Sequence, residues 1–339
     1  RPLAGAPVAA GDGAVLVGRS AELQRLESCL DALQAGQPRE LLLEGEAGIG
    51  KTRLIDALKQ RVRERGFTGL LGAGQSIEQQ TPYRAWRDVF TAYFDIENVS
   101  DPVARRQNVA AAMTHIAPEQ AVHAPLLNPL LDLDFPETPL TAALTPELRQ
   151  QALRQLLLTL LMAWTRSQPL ILVLEDAHWL DALSWQLAED LARRAWVADM
   201  PLLLVVVHRP LELGHPAAAN LRRLRELPFA ETLRLEGLAP AEIVALAAQR
   251  LGVPVAALPE ALADVIQTRS GGNPFFAEEL LHALRERGNL TPPAHIAGDL
   301  AQAVQTLPDT LHGLILARID RLPAMQQAVL KVAAVIGRS

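Results

Sequence analysis

Segment 41–54 reads LLLEGEAGIGKTRL and places glycine, lysine and threonine at a spacing that suits phosphate chemistry. Gly45, Gly50, Lys51 and Thr52 fit the pattern G-x-x-x-x-G-K-[ST]. Glycines let the main chain approach a phosphate closely, and successive N–H groups at the start of a helix can then surround it. Lysine adds positive charge between the β- and γ-phosphates, and the threonine hydroxyl is a ligand for Mg²⁺. The spacing therefore predicts a loop that binds the phosphates of a nucleotide.

Both flanks of this loop support the prediction. The leucines before it form an apolar run typical of a buried strand, and TRLIDALKQRV after it has helical periodicity. We assign nucleotide binding to the whole loop and the residue after it, with Lys51 also acting in catalysis and Thr52 binding Mg²⁺. The assigned residues are Gly45, Glu46, Ala47, Gly48, Ile49, Gly50, Lys51, Thr52 and Arg53.

A pair of carboxylates, Glu175 and Asp176, follows the apolar run PLILVL. A site that hydrolyses a nucleotide needs acid from a neighbouring strand, to hold Mg²⁺ and to orient water. Glu175 is the candidate that binds Mg²⁺ through water, and Asp176 is the candidate that polarises the attacking water. Because the first position is more often aspartate in such sites, Asp176 is an alternative Mg²⁺ ligand, and the division of labour between the two stays open.

The segment LLLVVVHRP predicts a further buried strand, which ends at His208 and Arg209. If this strand belongs to the same sheet, Arg209 could reach the γ-phosphate and report its presence. His208 has no partner histidine, cysteine or carboxylate at metal-ligand spacing, so we assign it no role.

Strands that alternate with helices predict a three-layer α/β fold with a mainly parallel sheet, the sandwich of P-loop NTPases. We expect a linker at 1–13 and a core at 14–236, with a helical insert at about 82–166. After residue 237 the strand signal ends and three helices follow, which predicts a helical lid domain at 237–290. Two further helices in 291–339 predict the start of a winged-helix domain that is incomplete in this chain.

Composition narrows the class of protein. The 339 residues are 49% hydrophobic and 21% charged, with a net charge of −6 and a pI of about 5.8. This argues against non-specific nucleic-acid binding by the whole chain and leaves a local basic face as an alternative. A single cysteine, Cys29, excludes an internal disulfide framework and fits a cytoplasmic protein. Apolar runs are too short to cross a membrane, and the ends of the chain lead us to expect a piece of a larger protein.

Several segments together resemble the STAND class of P-loop NTPases, the signal-transduction ATPases with numerous domains. More narrowly, the chain is similar to the AAA+-like ATPase module of large bacterial LuxR-type regulators, of regulators with a bacterial transcriptional activation domain, and of proteins that carry class III adenylyl cyclases. The resemblance covers about 15–339 and rests on these segments in this order: LVGRSAEL, GEAGIGKTRL, TPYRAWRDVF, LVLEDAHWLD, LLLVVVHRP, GGNPFFAEEL and ARIDRLPAMQQAVLKVAAVIGRS.

The resemblance implies roles for further residues. Val17, Gly18 and Arg19 match the N-terminal segment that lies against adenine, and Pro274 matches the proline of the helical domain that closes over the base. A plain helix N-terminus is the alternative for this position and is compatible with that role, since Asn273 is a good cap and proline suits the first turn. Arg209 matches the strand-end arginine that senses the γ-phosphate. The ligands that the resemblance implies are ATP or ADP with Mg²⁺.

A protein of this class would bind ATP and hydrolyse it slowly, so that the nucleotide state controls the arrangement of its domains. Its partners would be sensor and output domains outside this chain, and nucleotide-dependent self-association is compatible with this function. Three alternatives remain open. These are an oligomeric AAA+ motor or loader with an arginine supplied by a neighbouring subunit, a nucleotide-binding scaffold that does not hydrolyse, and a small-molecule kinase with its acceptor under the helical insert.

Overall fold

The computed structural model describes residues 16–212, 214–291, 294–297, 302–303, 307–308, 310–319, 322 and 324–336. The expected linker at 1–13 lies outside the described residues. By its internal contacts the chain divides into two compact units. The first unit includes Ser20–Gly45 and Thr52–Arg234, and the second includes 16–19, Glu46–Lys51 and the residues from Leu235 onward.

The described residues form the following elements. The strands are β1 (Arg39–Gly45), β2 (Thr68–Ala73), β3 (Leu170–Glu175), β4 (Leu202–His208), β5 (Ala230–Leu235), β6 (Leu290–Thr291) and β7 (His295–Ile296). The helices are α1 (Ser20–Gln34), α2 (Lys51–Glu64), α3 (Arg84–Tyr93), α4 (Pro102–Ile116), α5 (Asn128–Leu131), α6 (Pro139–Ala142), α7 (Pro146–Ser167), α8 (Ala182–Val197), α9 (Ala218–Arg225), α10 (Pro240–Leu251), α11 (Glu260–Ser270), α12 (Pro274–Glu286), α13 (Leu311–Ile319) and α14 (Ala324–Ile336).

The first unit is built around a five-stranded sheet of described residues in the order β2-β3-β4-β1-β5. The pairs β2–β3, β3–β4 and β4–β1 are parallel. Strands β3 and β4 consist almost wholly of buried leucine, valine and isoleucine, and β1 carries three consecutive buried leucines, as expected for a parallel sheet covered on both faces.

Helices cover both faces of this sheet. Leu42, Leu172 and Val206 belong to one apolar cluster with residues of α3, α7, α8 and α9. Because successive side chains of a strand point to opposite faces, Leu41 and Leu43 lie on the other face, where they are fully buried and α1 packs on β1. The predicted three-layer α/β fold is confirmed.

The second unit contains a helical core of its own. Helices α10, α11 and α12 contact one another around a cluster that includes Ile243, Leu262 and Leu280. The sequence predicted these helices, but it did not predict the short antiparallel pair β6–β7. Strands of two residues are too short to produce a recognisable alternation of apolar and polar side chains.

One strand of the sheet carries a carboxyl group in the interior. Glu40 in β1 is fully buried, and neither of its carboxyl oxygens has a hydrogen-bond partner among the described residues. Burial, together with the negative charge of Glu189, raises the pKa of Glu40 to about 8. Glu40 is therefore neutral in the folded protein over a pH range in which an exposed glutamate is ionised.

We predict that Glu40→Gln stabilises the protein more at high pH than at low pH. Between about 4.5 and 8 the folded state holds a proton on Glu40 that the unfolded chain has lost, so wild-type stability falls as the pH rises through this window. The glutamine variant lacks this penalty, and its advantage should grow to a few kcal/mol, about 5 at most, by pH 8 and then level off. Urea unfolding at pH 5, 6.5 and 8.5 measures the difference.

Glu119→Gln is the matched control, because Glu119 is exposed on the surface. Its stability relative to wild type should vary little over the same pH range. If Glu40→Gln raised the free energy of unfolding by the same amount at all three pH values, the result would contradict burial of a carboxyl group that lacks a hydrogen-bond partner among the described residues.

Candidate functional site

Strand order brings the predicted catalytic groups to one edge of the sheet. Glu44, the last residue before Gly45, is in register with His208, and Ala73 of β2 is in register with Glu175. Because these strands are parallel, their carboxyl ends lie at the same edge. Strand β4 lies between β1 and β3, so Arg209 leaves the sheet between the strand that leads into the phosphate loop and the strand that carries the acids.

The two acids at the end of β3 differ in environment. Glu175 is mostly buried, and its Oε1 atom lies 3.4 Å from Nζ of Lys59. Asp176 is exposed and adopts a left-handed backbone conformation, with φ of 47°. Its carbonyl accepts from the N–H of Trp179 at 2.9 Å, in a short 3₁₀ helix that turns the chain away from the sheet. Asp176 therefore presents a carboxylate to solvent, while that of Glu175 is held by a lysine.

A charged network lies beside the end of β4. Oε2 of Glu44 accepts a hydrogen bond from Nη2 of Arg225 at 2.6 Å, and Oε1 of Glu44 lies 3.3 Å from Nε of Arg234. His208 Nδ1 donates to the carbonyl of Arg209 at 2.8 Å, and its Nε2 lies 3.9 Å from Glu44. These contacts fix the main chain at Arg209, whose side chain is exposed.

The phosphate loop itself belongs, by its contacts, to the second unit. Donors of that unit bind the successive carbonyls of residues 46–49. The Lys51 ammonium donates to Glu46 O at 2.8 Å, Asn273 Nδ2 to Ala47 O at 3.0 Å, Phe275 N to Gly48 O at 3.3 Å and Arg19 Nη2 to Ile49 O at 3.0 Å.

These contacts orient the loop for an anion. In a trans peptide the N–H points away from the carbonyl of the preceding residue. Because donors hold the carbonyls of residues 46, 47 and 49, the N–H groups of Ala47, Gly48 and Gly50 point away from those donors. Those amides donate to no other residue within the described part of the chain. The amide of Ile49 makes only a long bond of 3.4 Å to Glu46 O. Amides that lack a partner among the described residues, just before the start of α2, fit a phosphate chain, so the residues present can hold a nucleotide.

Glycine is required at Gly48 for two reasons. Its φ of +76° is strained for other residues, and a Cβ atom there would lie 3.0 Å from both Asn273 Oδ1 and Phe275 Cβ. Thr52 and Arg53, which follow the loop in the first turn of α2, are exposed. A hydroxyl that is open to solvent at this position is suited to Mg²⁺, since this ion prefers oxygen ligands and keeps several waters.

The segment predicted to lie against adenine is held by protein contacts. Val17 packs against the core of the second unit, and Gly18, with φ of +69°, lies close to the carboxylate of Glu242. Arg19 is 6% exposed, and its guanidinium also donates to Glu236 O at 2.7 Å. The structure thus gives Arg19 a role in the shape of the phosphate loop, which the sequence did not reveal.

Pro274 occupies the first turn of α12, where proline is favoured. Asn273 caps this helix, since its Oδ1 accepts from the N–H of Phe276 at 3.1 Å, which confirms the cap expected from the sequence. Its contact with Ala47 was missed, because residues 226 positions apart give no local pattern.

Side chains at the start of α3, in the helical insert, are held by contacts within the protein. Trp86 is fully buried and donates to Ser184 O, Arg84 pairs with Glu78 and Asp88, and Arg87 donates to Leu130 O. A cavity of about 350 Å³ lies nearby, and its charged lining among the described residues is limited to Arg149, which pairs with Glu137.

Residues 15–206, more than half of the chain, match the AAA ATPase domain family. The chain belongs to this family. The matched range contains the phosphate loop, Glu175 and Asp176, while Arg209 lies beyond it. Residues 240–291, which include Pro274, match a domain of unknown function, DUF8739.

Curated relatives of this AAA ATPase domain are much longer proteins. An uncharacterized protein of Rhizobium meliloti, R02095, is 29% identical over 283 residues, which are 79% of this chain and 25% of the relative. Adenylate cyclase type 10 of Mus musculus is 23% identical over 276 residues, which are 80% of this chain and 16% of the relative. The AAA ATPase domain thus spans a quarter or less of these proteins.

Solved structures with a similar chain path match this chain at low sequence identity. The Orc1 protein of Aeropyrum pernix, in complex with DNA, has a TM-score of 0.48 at 18% identity and covers 95% of this chain and 73% of that one. Cdc6p of Pyrobaculum aerophilum has a TM-score of 0.46 at 16% identity and covers 84% of this chain and 65% of that one. Within the described part of the AAA ATPase domain, no helix has the length and apolarity needed to cross a membrane.

We predict that Arg19→Met destabilises this AAA ATPase domain by about 2–4 kcal/mol, because the buried carbonyl of Ile49 and the partly buried carbonyl of Glu236 lose a charged donor. Methionine keeps the apolar stem and removes only the guanidinium. Urea unfolding at neutral pH measures the change.

Arg25→Met is the matched control on the surface, where Arg25 is paired with Glu231 at 3.1 Å. An exposed ion pair contributes little, so this variant should lose less than about 1 kcal/mol. If Arg19→Met and Arg25→Met lose the same unfolding free energy, the contacts of Arg19 stabilise the protein no more than an exposed ion pair does.

Proposed function

We propose that the chain is an ATP-binding, slowly hydrolysing switch of a larger regulatory protein. The observation that carries this proposal is the set of contacts, within the second unit, between the phosphate loop and the residues around it. A loop whose carbonyls are bonded to Arg19, Asn273 and Phe275 would transmit a change in its phosphates directly to that unit. A ligand that interacts differently with two conformations shifts the balance between them.

In the proposed reaction, water attacks the γ-phosphorus of ATP, the bond to the β-phosphate oxygen breaks, and ADP and phosphate result. Lys51 would bind the β- and γ-phosphates, with Thr52 and Glu175 as Mg²⁺ ligands. When bound, Mg²⁺ would neutralise charge on the phosphate oxygens. Asp176 would accept a hydrogen bond from the attacking water, because its carboxylate is exposed and makes no ion pair with another described residue. The alternative in which Asp176 binds Mg²⁺ stays open.

The flanking partners are part of the proposal. Because the curated relatives extend far beyond this domain, we propose that sensor and output domains lie outside it. The assignment to the STAND class is likewise proposed, and the segments that resemble it support the assignment. ATP, rather than another nucleoside triphosphate, is proposed on the same ground.

We predict that Asp176→Asn binds ATP with nearly wild-type affinity and loses turnover by about 100-fold or more, because it removes a group that orients water. Lys51→Ala should lose nucleotide binding itself. Calorimetric titration measures affinity, and release of phosphate from γ-labelled ATP measures turnover on the same samples.

Asp199→Asn is the matched control, since Asp199 is also exposed and has nearly the same φ, 48° against 47° for Asp176. Its turnover should equal that of the wild type. Full turnover in Asp176→Asn would refute the catalytic assignment, and tight ATP that stays intact in wild type would favour a scaffold.

We also predict that Arg209→Ala weakens binding of a non-hydrolysable ATP analogue about 10-fold and leaves ADP affinity within about 2-fold, because a γ-phosphate contact would be lost. Arg166→Ala, at an exposed arginine on α7, is the control and should change neither value. Equal weakening of both nucleotides by Arg209→Ala would exclude a sensing role for this residue.

A further inference from the structure

Asn273 joins two parts of the second unit through one side-chain amide. Its Oδ1 atom accepts from Phe276 N at 3.1 Å and caps α12. Its Nδ2 atom donates to Ala47 O at 3.0 Å in the phosphate loop. We propose that Asn273 is a positioning residue for phosphate binding, which holds the loop in the form that accepts the anion. This inference rests on the proposed nucleotide-binding function.

The chemistry of the amide explains why asparagine suits both tasks. Serine, threonine and aspartate also cap helices, because each offers an oxygen acceptor to the first turn. An ionised aspartate has no donor. A serine hydroxyl lies too close to its own main chain to cap the helix and also reach Ala47. Asparagine carries an acceptor and a donor on the same planar group, so the cap fixes the direction in which Nδ2 points.

The contact with Ala47 determines the direction of the next amide. With Ala47 O bound to Asn273, the trans peptide turns the N–H of Gly48 away from α12. The neighbouring bond from Phe275 N to Gly48 O, at 3.3 Å, does the same for the N–H of Ile49. The first turn of α12 therefore sets the orientation of two consecutive peptides in the loop.

The fit between these segments is close. A Cβ atom on Gly48 would meet Asn273 Oδ1 and Phe275 Cβ at 3.0 Å, so the loop has little room to move toward α12. An anion site is strong when its donors are oriented before the ligand arrives, because reorientation then costs nothing at binding. Asn273 therefore raises affinity for phosphate groups without touching the nucleotide.

The test uses substitutions that separate the cap from the loop contact. Asn273→Ser keeps an oxygen cap and loses the donor to Ala47, Asn273→Asp keeps the cap and adds negative charge at the same place, and Asn273→Ala loses both. The dissociation constants of MgADP and of pyrophosphate are measured by calorimetry, and thermal unfolding is followed without ligand.

We expect Asn273→Ser to raise both dissociation constants by about 3- to 10-fold, the loss of one hydrogen bond. Its unfolding midpoint should stay near that of wild type. Asn273→Ala should show the same weakening of binding with a lower midpoint, and Asn273→Asp should weaken binding more than Asn273→Ser. Asp101→Ala, which removes the cap of α4 in the first unit, is the control and should lower the midpoint without changing affinity.

The result that overturns the proposal is distinguishable from failure of the proposed function. If wild type binds MgADP and Asn273→Ser binds both ligands as tightly, Asn273 does not position the loop. If Asn273→Ser binds MgADP more weakly but binds pyrophosphate as tightly as wild type, Asn273 acts on the nucleoside part of the ligand and the proposal is wrong. If wild type binds neither ligand, the nucleotide function itself fails, and this inference fails with it.

Discussion

The orientation of the peptides between Glu46 and Gly50 is the constraint on which the candidate site depends. A phosphate loop works only when its amides converge, and an isolated glycine-rich loop has many other conformations at nearly equal energy. Here that freedom is removed by donors from the same unit, since the carbonyls of Ala47, Gly48 and Ile49 are each bound. The loop is thus shaped by residues far from it in sequence.

The same contacts explain how a small ligand could act on a whole domain. Asn273 and Phe275 begin α12, and the buried face of α12 forms part of the core of the second unit. The guanidinium of Arg19 also joins the loop to this unit, because it donates to the main-chain carbonyls of Ile49 and Glu236. Because packed helices move as rigid elements, a shift of the loop of a few tenths of an ångström would be felt throughout their core. This is a physical route for the proposed switch.

The order of the strands in the sheet makes a separate contribution to the candidate site. With β4 between β1 and β3, the strand that Arg209 directly follows lies beside both the strand of the loop and the strand of the acids. Glu44 ties this edge together through Arg225, Arg234 and His208. At the other end of β1, Glu40 is buried without a hydrogen-bond partner among the described residues, which costs stability. Burial of the large apolar core of the first unit offsets this cost.

Local pattern was enough to predict the five strands of the main sheet and most of the helices, but not the short pair β6–β7. Apolar runs identified the buried strands, the spacing of Gly45, Gly50 and Lys51 identified the loop, and Asn273 before Pro274 identified a helix start. Such features depend on neighbours along the chain, and physical preferences at that range are visible in sequence. The roles given to individual site residues are still predictions.

Contacts between distant segments were decided only by the tertiary structure. The position of β4 between β1 and β3, the pairing of Asn273 with Ala47 and the burial of Glu40 all depend on which elements become neighbours in space. Arg19 shows the difference most clearly. Its place in VGR suggested a nucleotide contact, whereas the fold turns its guanidinium to Ile49 O and Glu236 O, because a buried cation must find acceptors wherever packing leaves them.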